Sequence, residues 1–311
     1  MHYTRLIMKN EGIILAGGSG FLGQALTREL LARQREVIIL TRKPTAQSGP
    51  VRQLEWDGRT IGSWAECLNS ARAVVNLAGR SVNCRHTREN RRQILESRVN
   101  SVKVIGEAIS RCAKPPPVWV QASSMAIYGD TGDRWCDEST PAGQGYLEET
   151  CVQWEKALFN SPTPATRKVA LRIGFVLAKD EGALSVLAKV VRAGLGGRAG
   201  SGRQYVSWLH IADMNRIVLG ALDREDFEGR FNAAGPNPVT NAEFMRELRQ
   251  ALRRAWSPPA PVWAVRLGSW LLRTEAGLAL TGRRCAPKRL LDKKFTFEFP
   301  NLRDALANLY P

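Results

Sequence analysis

Short apolar runs and longer stretches of helical periodicity alternate along the first half of the chain. Ile13-Ile14-Leu15-Ala16 is an apolar run, after which Leu22, Ala25, Leu26 and Leu30 recur at helical spacing. Val37 to Leu40 is a second run, set off by the polar stretch Arg33 to Glu36. Val51 to Trp56 reads as a third strand with Asp57-Gly58 as its turn. Ala73 to Gly79 reads as a fourth, buried on both faces and ending in small residues. His86 to Cys112 predicts a long helix, with Ile94, Val102, Ile105 and Ile109 among its apolar positions, stopped by Pro115-Pro116-Pro117. Val118 to Ala122 is the fifth strand. Buried strands alternating with helices argue for an α/β fold with a doubly wound parallel sheet.

Beyond Leu177 the pattern changes. Residues 182–193 predict a helix, Gly194 to Gly202 a glycine-rich loop carrying Arg198, and Phe231 to Ala234 a late strand. Asn241 to Ala255 predicts an amphipathic helix with Thr240 as its cap, followed by a Ser257–Pro261 linker. Trp263 to Leu272 is apolar at helical spacing. Being short and interrupted by Arg266, it is expected to pack into the fold rather than touch a membrane. The predicted division is residues 11–177 and 178–311, with the Phe231-Asn232 region returning to the first domain. No internal repeat or low-complexity tract is visible.

Composition narrows the class. Hydrophobic residues make up 44%, enough for a packed core, while mean hydropathy is −0.25 and no run approaches the ~20 apolar residues of a membrane span. Met1 to Gly12 lacks the apolar core of a signal peptide, and Met8 is a candidate later start. The six cysteines show no paired spacing, so reduced thiols and a cytoplasmic location are expected. Net charge is +16, which raises nucleic acid as a partner. The arginines of Arg85–Arg98 and Arg266–Arg289 are interleaved with apolar and acidic residues, however, and no aromatic-basic RNA motif is present. A basic surface around a phosphorylated small molecule is the preferred reading.

The first strand runs into Gly17, Gly20 and Gly23, spaced G-x-x-G-x-x-G and followed by a helix. Gly17 permits a tight turn, Gly20 removes a side chain where a pyrophosphate approaches, and Gly23 allows close packing of the helix on the sheet. The helix start offers free N–H groups and the positive dipole end to phosphates. The second strand ends in Thr41-Arg42 with no acidic residue. In dinucleotide folds an acid here holds a ribose 2′-hydroxyl, and an arginine accommodates a 2′-phosphate. The expected cofactor is therefore NADP(H). Cys84-x-His86 is too short a pattern for a metal site, and none is expected.

The fifth strand ends in Ser123-Ser124-Met125-Ala126-Ile127-Tyr128-Gly129. With the glycine turn and Asn76-Leu77-Ala78-Gly79, this segment resembles the extended short-chain dehydrogenase/reductases. Further segments are similar to the atypical epimerase-like branch, the NAD-dependent epimerase/dehydratase family proteins with an extra C-terminal domain. They are Gln93 to Arg98, Leu171 to Leu177 as a sixth strand, Gly194 to Asp213, and Ala286 to Leu290 with Phe295-Thr296-Phe297. The resemblance covers nearly the whole chain and implies a Rossmann-type sheet with a smaller C-terminal substrate region. It also implies a cofactor site. Gly20, Phe21 and Leu22 would cradle the pyrophosphate, Thr41 and Arg42 would hold the 2′-phosphate, and Leu77, Ala78 and Gly79 would line the nicotinamide-side ribose. Gln93 and Arg98 would lean over the cofactor, and Val176 would approach the nicotinamide.

Catalysis is where the chain departs from that pattern. The superfamily uses a tyrosine in Tyr-x-x-x-Lys, its phenol lowered from ~10 by the lysine. Ser124 fits the accompanying serine, and Tyr146 falls at the expected distance, but Thr150 stands where the lysine belongs. Glu148 and Glu149 are expected to raise the phenol pKa. Tyr128 and His210 are the candidate substitutes, with His210 more readily read as a residue that holds its loop. His86 replaces a tryptophan usual in the branch. The Gly194–Gly202 loop, with Arg198 and Arg203, is either a second anion site or a mobile lid. The resulting expectation is an NADP(H)-dependent oxidoreductase or epimerase on a small carbonyl or nucleotide-linked sugar, with Ser124 and Tyr128 as catalytic candidates. A non-catalytic NADPH-binding sensor or scaffold and a nucleic-acid-associated protein are the alternatives.

Overall fold

The structure is a computed structural model and describes residues 12–45, 50–271 and 273–311. The expectations placed on Met1–Glu11 and on Leu272 lie outside the described residues.

Seven strands form one sheet: β1 (Ile13–Ala16), β2 (Val37–Thr41), β3 (Val51–Glu55), β4 (Ala73–Asn76), β5 (Val118–Ser124), β6 (Arg167–Ile173) and β7 (Gly229–Ala233). Their order is β7-β6-β5-β4-β1-β2-β3, and every pairing is parallel. Successive side chains point to opposite faces and both faces are covered, which explains why the central strands β1, β2 and β4 are apolar and buried at nearly every position. Ile13, Leu15, Val37, Ile39 and Val75 enter one core layer with α1 (Phe21–Ala32). Ile14, Ala16, Ile38, Leu40 and Val74 enter the other, with α2 (Arg88–Ser110) and α3 (Tyr146–Phe159). Ala16 is in register with both Leu40 and Asn76. The chain therefore leaves β1, β2 and β4 at one level, and the order reverses between β1 and β4, where such sheets open a crevice.

A second body forms from α4 (Gly182–Arg192), α6 (Asn241–Ala251) and α8 (Leu302–Leu309). Leu184, Val191, Phe244, Leu248, Leu302 and Leu306 share its core. Between α4 and α6 the chain rejoins the sheet. α5 (Ile211–Asp223) packs Met214, Ile217 and Val218 into the α1-side layer, and β7 pairs with β6. α6 begins at its expected cap, the Thr240 hydroxyl accepting from the Glu243 amide at 3.2 Å.

Two elements differ from expectation. Leu171 to Leu177 is not one strand. β6 stops at Ile173, and Phe175–Leu177 pairs instead with Trp208–His210. A Cβ at Gly174 would lie 2.4 Å from the Ser207 carbonyl oxygen, so the crossing there requires glycine. The second is α7 (Val262–Leu271), which buries none of its residues. Its half-buried side carries Ala264, Val265, Gly268 and Ser269, while Trp263, Leu267 and Trp270 face outward. The expected packing is corrected. Helical spacing makes one face apolar but does not say which way that face turns. Among the described residues, no helix is long and apolar enough to cross a membrane.

Candidate functional site

The glycine turn sits in the crevice, and each glycine has a separate steric reason. Gly17 has φ +78°, and a Cβ there would lie 2.8 Å from the Ala78 amide nitrogen. The turn and the Leu77–Gly79 segment are thus in backbone contact. Gly23 is needed because a Cβ would fall 2.5 Å from Gly18 Cα and 2.6 Å from the Gly17 oxygen. The helix presses on the turn itself, not on the sheet as expected. Gly18, which the spacing does not single out, is held by Ile39, 2.8 Å from its would-be Cβ. Gly20 is different: its Cβ would meet only the Gly17 oxygen, at 3.4 Å. It caps α1 with no side chain and no acid in the first turn, leaving the amide ends of Phe21, Leu22 and Gly23 clear. The Phe21 ring lies over Gly182.

Asn76 organises the next wall. Its buried amide donates to Gln121 Oε1 at 2.9 Å and Ser101 Oγ at 3.2 Å, while its oxygen accepts from the Ala78 amide at 3.0 Å. Leu77 donates to the Ala16 carbonyl at 2.8 Å. Gly79 faces Arg98, whose Cζ is 3.3 Å from the position of a Cβ. Arg98 donates to the carbonyls of Arg80 (2.9 Å) and Ile94 (3.0 Å) and lies over the Trp154 ring at 5.1 Å. It makes no ion pair among the described residues, and burial pulls its pKa below the ordinary arginine value. Gln93 is turned to Arg80 and Glu89, at 2.5 Å from the latter.

At the far end of β2, the Thr41 hydroxyl accepts from the Lys43 amide at 3.4 Å. Arg42 is exposed and has no hydrogen-bond or ion-pair partner among the described residues. Val176 is buried in the α1-side core, in the short Phe175–Leu177 strand, in register with Leu209.

Ser124 ends β5, and its hydroxyl accepts from the Ala126 amide at 3.1 Å. Tyr128 is elsewhere. Its buried hydroxyl donates to Asn232 Oδ1 at 2.7 Å and accepts from Arg172 Nη1 at 2.8 Å, and burial drives its pKa far up. The tyrosine belongs to a buried polar network that no sequence pattern indicated. Arg172 clasps Glu155 at 2.8 and 2.9 Å, Ser123 and Arg230 donate to the same carboxylate at 2.8 Å, and Asn232 donates to the Ala286 carbonyl at 2.9 Å. The available signal was Arg172, a charge inside the apolar run Val169 to Val176; Glu155, among the other charged residues of α3, carried none. Tyr128 therefore braces β5, β6 and β7, and its expected acid–base role is corrected.

Tyr146 opens α3 and donates to the Arg91 carbonyl at 2.9 Å, with His86 edge-on at 5.8 Å. Its pKa is raised, as expected, but by burial, with Arg98 and Arg91 opposing. Thr150, in the lysine's place, donates back to the Tyr146 carbonyl at 2.8 Å. His210 caps α5: Nδ1 accepts from the Ala212 amide at 3.1 Å, its ring packs on Phe299 at 4.0 Å, and burial lowers its pKa. The Gly194–Gly202 loop is pinned to the linker. Gly200 donates to the Ala260 carbonyl at 2.8 Å, Ala260 to that of Arg198 at 2.9 Å, and Arg198 Nη1 to the Ser201 carbonyl at 2.7 Å.

This fold and crevice define an α/β protein built to receive a dinucleotide. The comparisons then narrow the class. The sequence matches the NAD dependent epimerase/dehydratase family over residues 13–234 and a domain of unknown function, DUF1731, over 260–309. The chain belongs to the NAD dependent epimerase/dehydratase family. It is 35% identical over 303 residues to the human epimerase family protein SDR39U1, covering 96% of this chain and 99% of that one. A crystal structure of human SDR39U1 with NADPH superposes with a TM-score of 0.86 at 32% identity, covering 96% of this chain and 98% of that one. A nucleoside-diphosphate sugar epimerase from Corynebacterium glutamicum matches with a TM-score of 0.78 at 28% identity, over 96% of this chain and 58% of that one.

Proposed function

We propose that this chain binds NADP(H) across the β1–β4 crevice and acts in the cytoplasm as an oxidoreductase or epimerase on a small carbonyl or nucleotide-linked sugar. The carrying observation is Arg42, a guanidinium with no hydrogen-bond or ion-pair partner among the described residues, at the end of β2, a strand that itself ends without an acid. Two further features support the reading: the clear space at Gly20 over an open helix start, and NADPH in the human SDR39U1 structure. Gly17, Gly20, Phe21, Leu22 and Gly23 hold the pyrophosphate, Thr41 and Arg42 the 2′-phosphate, and Leu77, Ala78 and Gly79 the second ribose. Gln93, Arg98 and Val176 close the remaining walls. A bound nicotinamide supplies reducing equivalents, and Ser124 hydrogen-bonds the reacting oxygen. All six cysteines are free thiols, which suits a reducing compartment. The test is titration with NADPH and NADH. Arg42→Asp is expected to cost NADPH about tenfold or more, roughly one charge-assisted contact, and to leave NADH little changed. An unchanged preference between the two overturns the assignment.

One observation favours a second reading, an NADPH-binding sensor without turnover. Tyr146 has its hydroxyl on a backbone carbonyl, a raised pKa and no lysine partner. A carbonyl-substrate panel with NADPH separates the two. Turnover abolished by Ser124→Ala marks the enzyme, and saturable binding without turnover marks the sensor.

A further inference from the structure

We propose that α7 is a membrane-contact helix that seats the protein on an anionic lipid surface. The helix is amphipathic in the inverted sense. Trp263, Leu267, Trp270 and Leu271 follow one stripe at helical spacing, and they are 70%, 52%, 60% and 64% exposed. The helix is tied to the body of the protein: Arg85 donates to the Trp270 carbonyl at 2.9 Å and places its guanidinium 5.4 Å from the Trp270 ring. Thr274, just past the helix, is tied to Asn83 of the same loop as Arg85.

The charge around the stripe identifies its partner. Arg266 lies within the helix, Arg273 two residues beyond its end, and Arg85 over the Trp270 ring. Arg85, Arg266 and Arg273 form no ion pair among the described residues. Tryptophan and leucine at the level of the headgroups, flanked by unpaired arginines, are what an interfacial helix presents to anionic lipid. A second copy of this chain would bring a like-charged rim against this one, on a molecule whose net charge is +16. Nucleic acid would use the arginines but leave Leu267 and Leu271 without a partner. Since no described helix can cross a bilayer, the contact is peripheral.

The test is flotation of the full chain with phosphatidylcholine vesicles, with and without phosphatidylglycerol. Tryptophan quenching by brominated acyl chains reads insertion directly. The expected result is binding only to the anionic vesicles, weakened by salt, with quenching. Arg266→Glu lowers it by about fivefold or more, and the Trp263→Ser, Trp270→Ser double variant loses both flotation and quenching. Both variants retain the wild-type melting curve and NADPH titration. Four outcomes overturn the proposal: no flotation, equal binding to both vesicle types, retention by the tryptophan variant, or a dimer or an RNA complex that the tryptophan variant abolishes while vesicles do not bind.

Discussion

Gly20 and Gly23 occupy the same turn but answer to different forces, and single alanines separate them. At Gly23 an added Cβ meets backbone atoms at 2.5 and 2.6 Å, which no rotamer change relieves. Gly23→Ala is expected to destabilise the fold by about 1–3 kcal/mol, seen as a lowered denaturation midpoint. At Gly20 the added methyl has room and φ is −83°, so Gly20→Ala costs below about 1 kcal/mol of stability. If the open space serves a pyrophosphate, the same variant loses about tenfold in NADPH affinity, roughly 1.4 kcal/mol. An unstable Gly20→Ala, or a stable one that binds as wild type, would show the gap to be merely local. The glycine spacing made this turn legible because steric demands at a strand–helix turn are local. Tyr128 was misread for the opposite reason. Its partners Arg172 and Asn232 lie 44 and 104 residues away, and nothing near Tyr128 indicates them.

Among elements, the central strands β1, β2, β4 and β5 were the most readable, because both of their faces are buried and their runs are largely apolar, whereas the edge strand β3 is half-buried and mixed. The break at Gly174 was not readable, because Phe175–Leu177 stays apolar while changing partner. α5 carries a prediction of its own. His210 caps it through Nδ1, and burial lowers the imidazole pKa against the opposing charge of Asp213. The folded value therefore lies below the unfolded value of about 6.5. Between the two, the unfolded chain binds a proton that the folded chain does not, so stability rises with pH across that window. Its contribution is complete above about pH 6.5 and erodes as pH falls towards the folded pKa. His210→Asn keeps a capping oxygen and removes the titration. Denaturation midpoints followed from pH 7 down to about 5 are expected to fall less steeply in the variant. Parallel slopes would mean that His210 is not the responsible group. Glu155, lowered by its pairing with Arg172 despite burial, loses its contribution only at more acid pH, outside this window.

At the scale of the molecule, the C-terminal segment is fastened by carboxylates of the sheet-bearing body. Asp213, wholly buried at the start of α5, accepts the amides of Glu298 at 2.8 Å and Phe299 at 3.0 Å, with Arg216 at 3.2 Å. Glu138 accepts the Asn232 amide at 2.9 Å and the Arg289 amide at 3.3 Å, and burial raises its pKa. The Trp208 to Asp213 run thus serves as a clamp on the C-terminal segment. Its chemistry was visible in the sequence, but its target lies 85 residues downstream. Asp213→Asn keeps the shape and replaces one acceptor by a donor facing an amide. Leaving a buried N–H unpaired costs about 1–3 kcal/mol. Because the clamp lies on α5 rather than in the crevice, the variant is expected to bind NADPH as wild type. Protease cleavage at Lys293-Lys294 should rise and the denaturation midpoint fall together. If cleavage there were unchanged while NADPH affinity fell, Asp213 would be serving the crevice, and the C-terminal segment would be held by the apolar contacts of α8 with α4 and α6 alone.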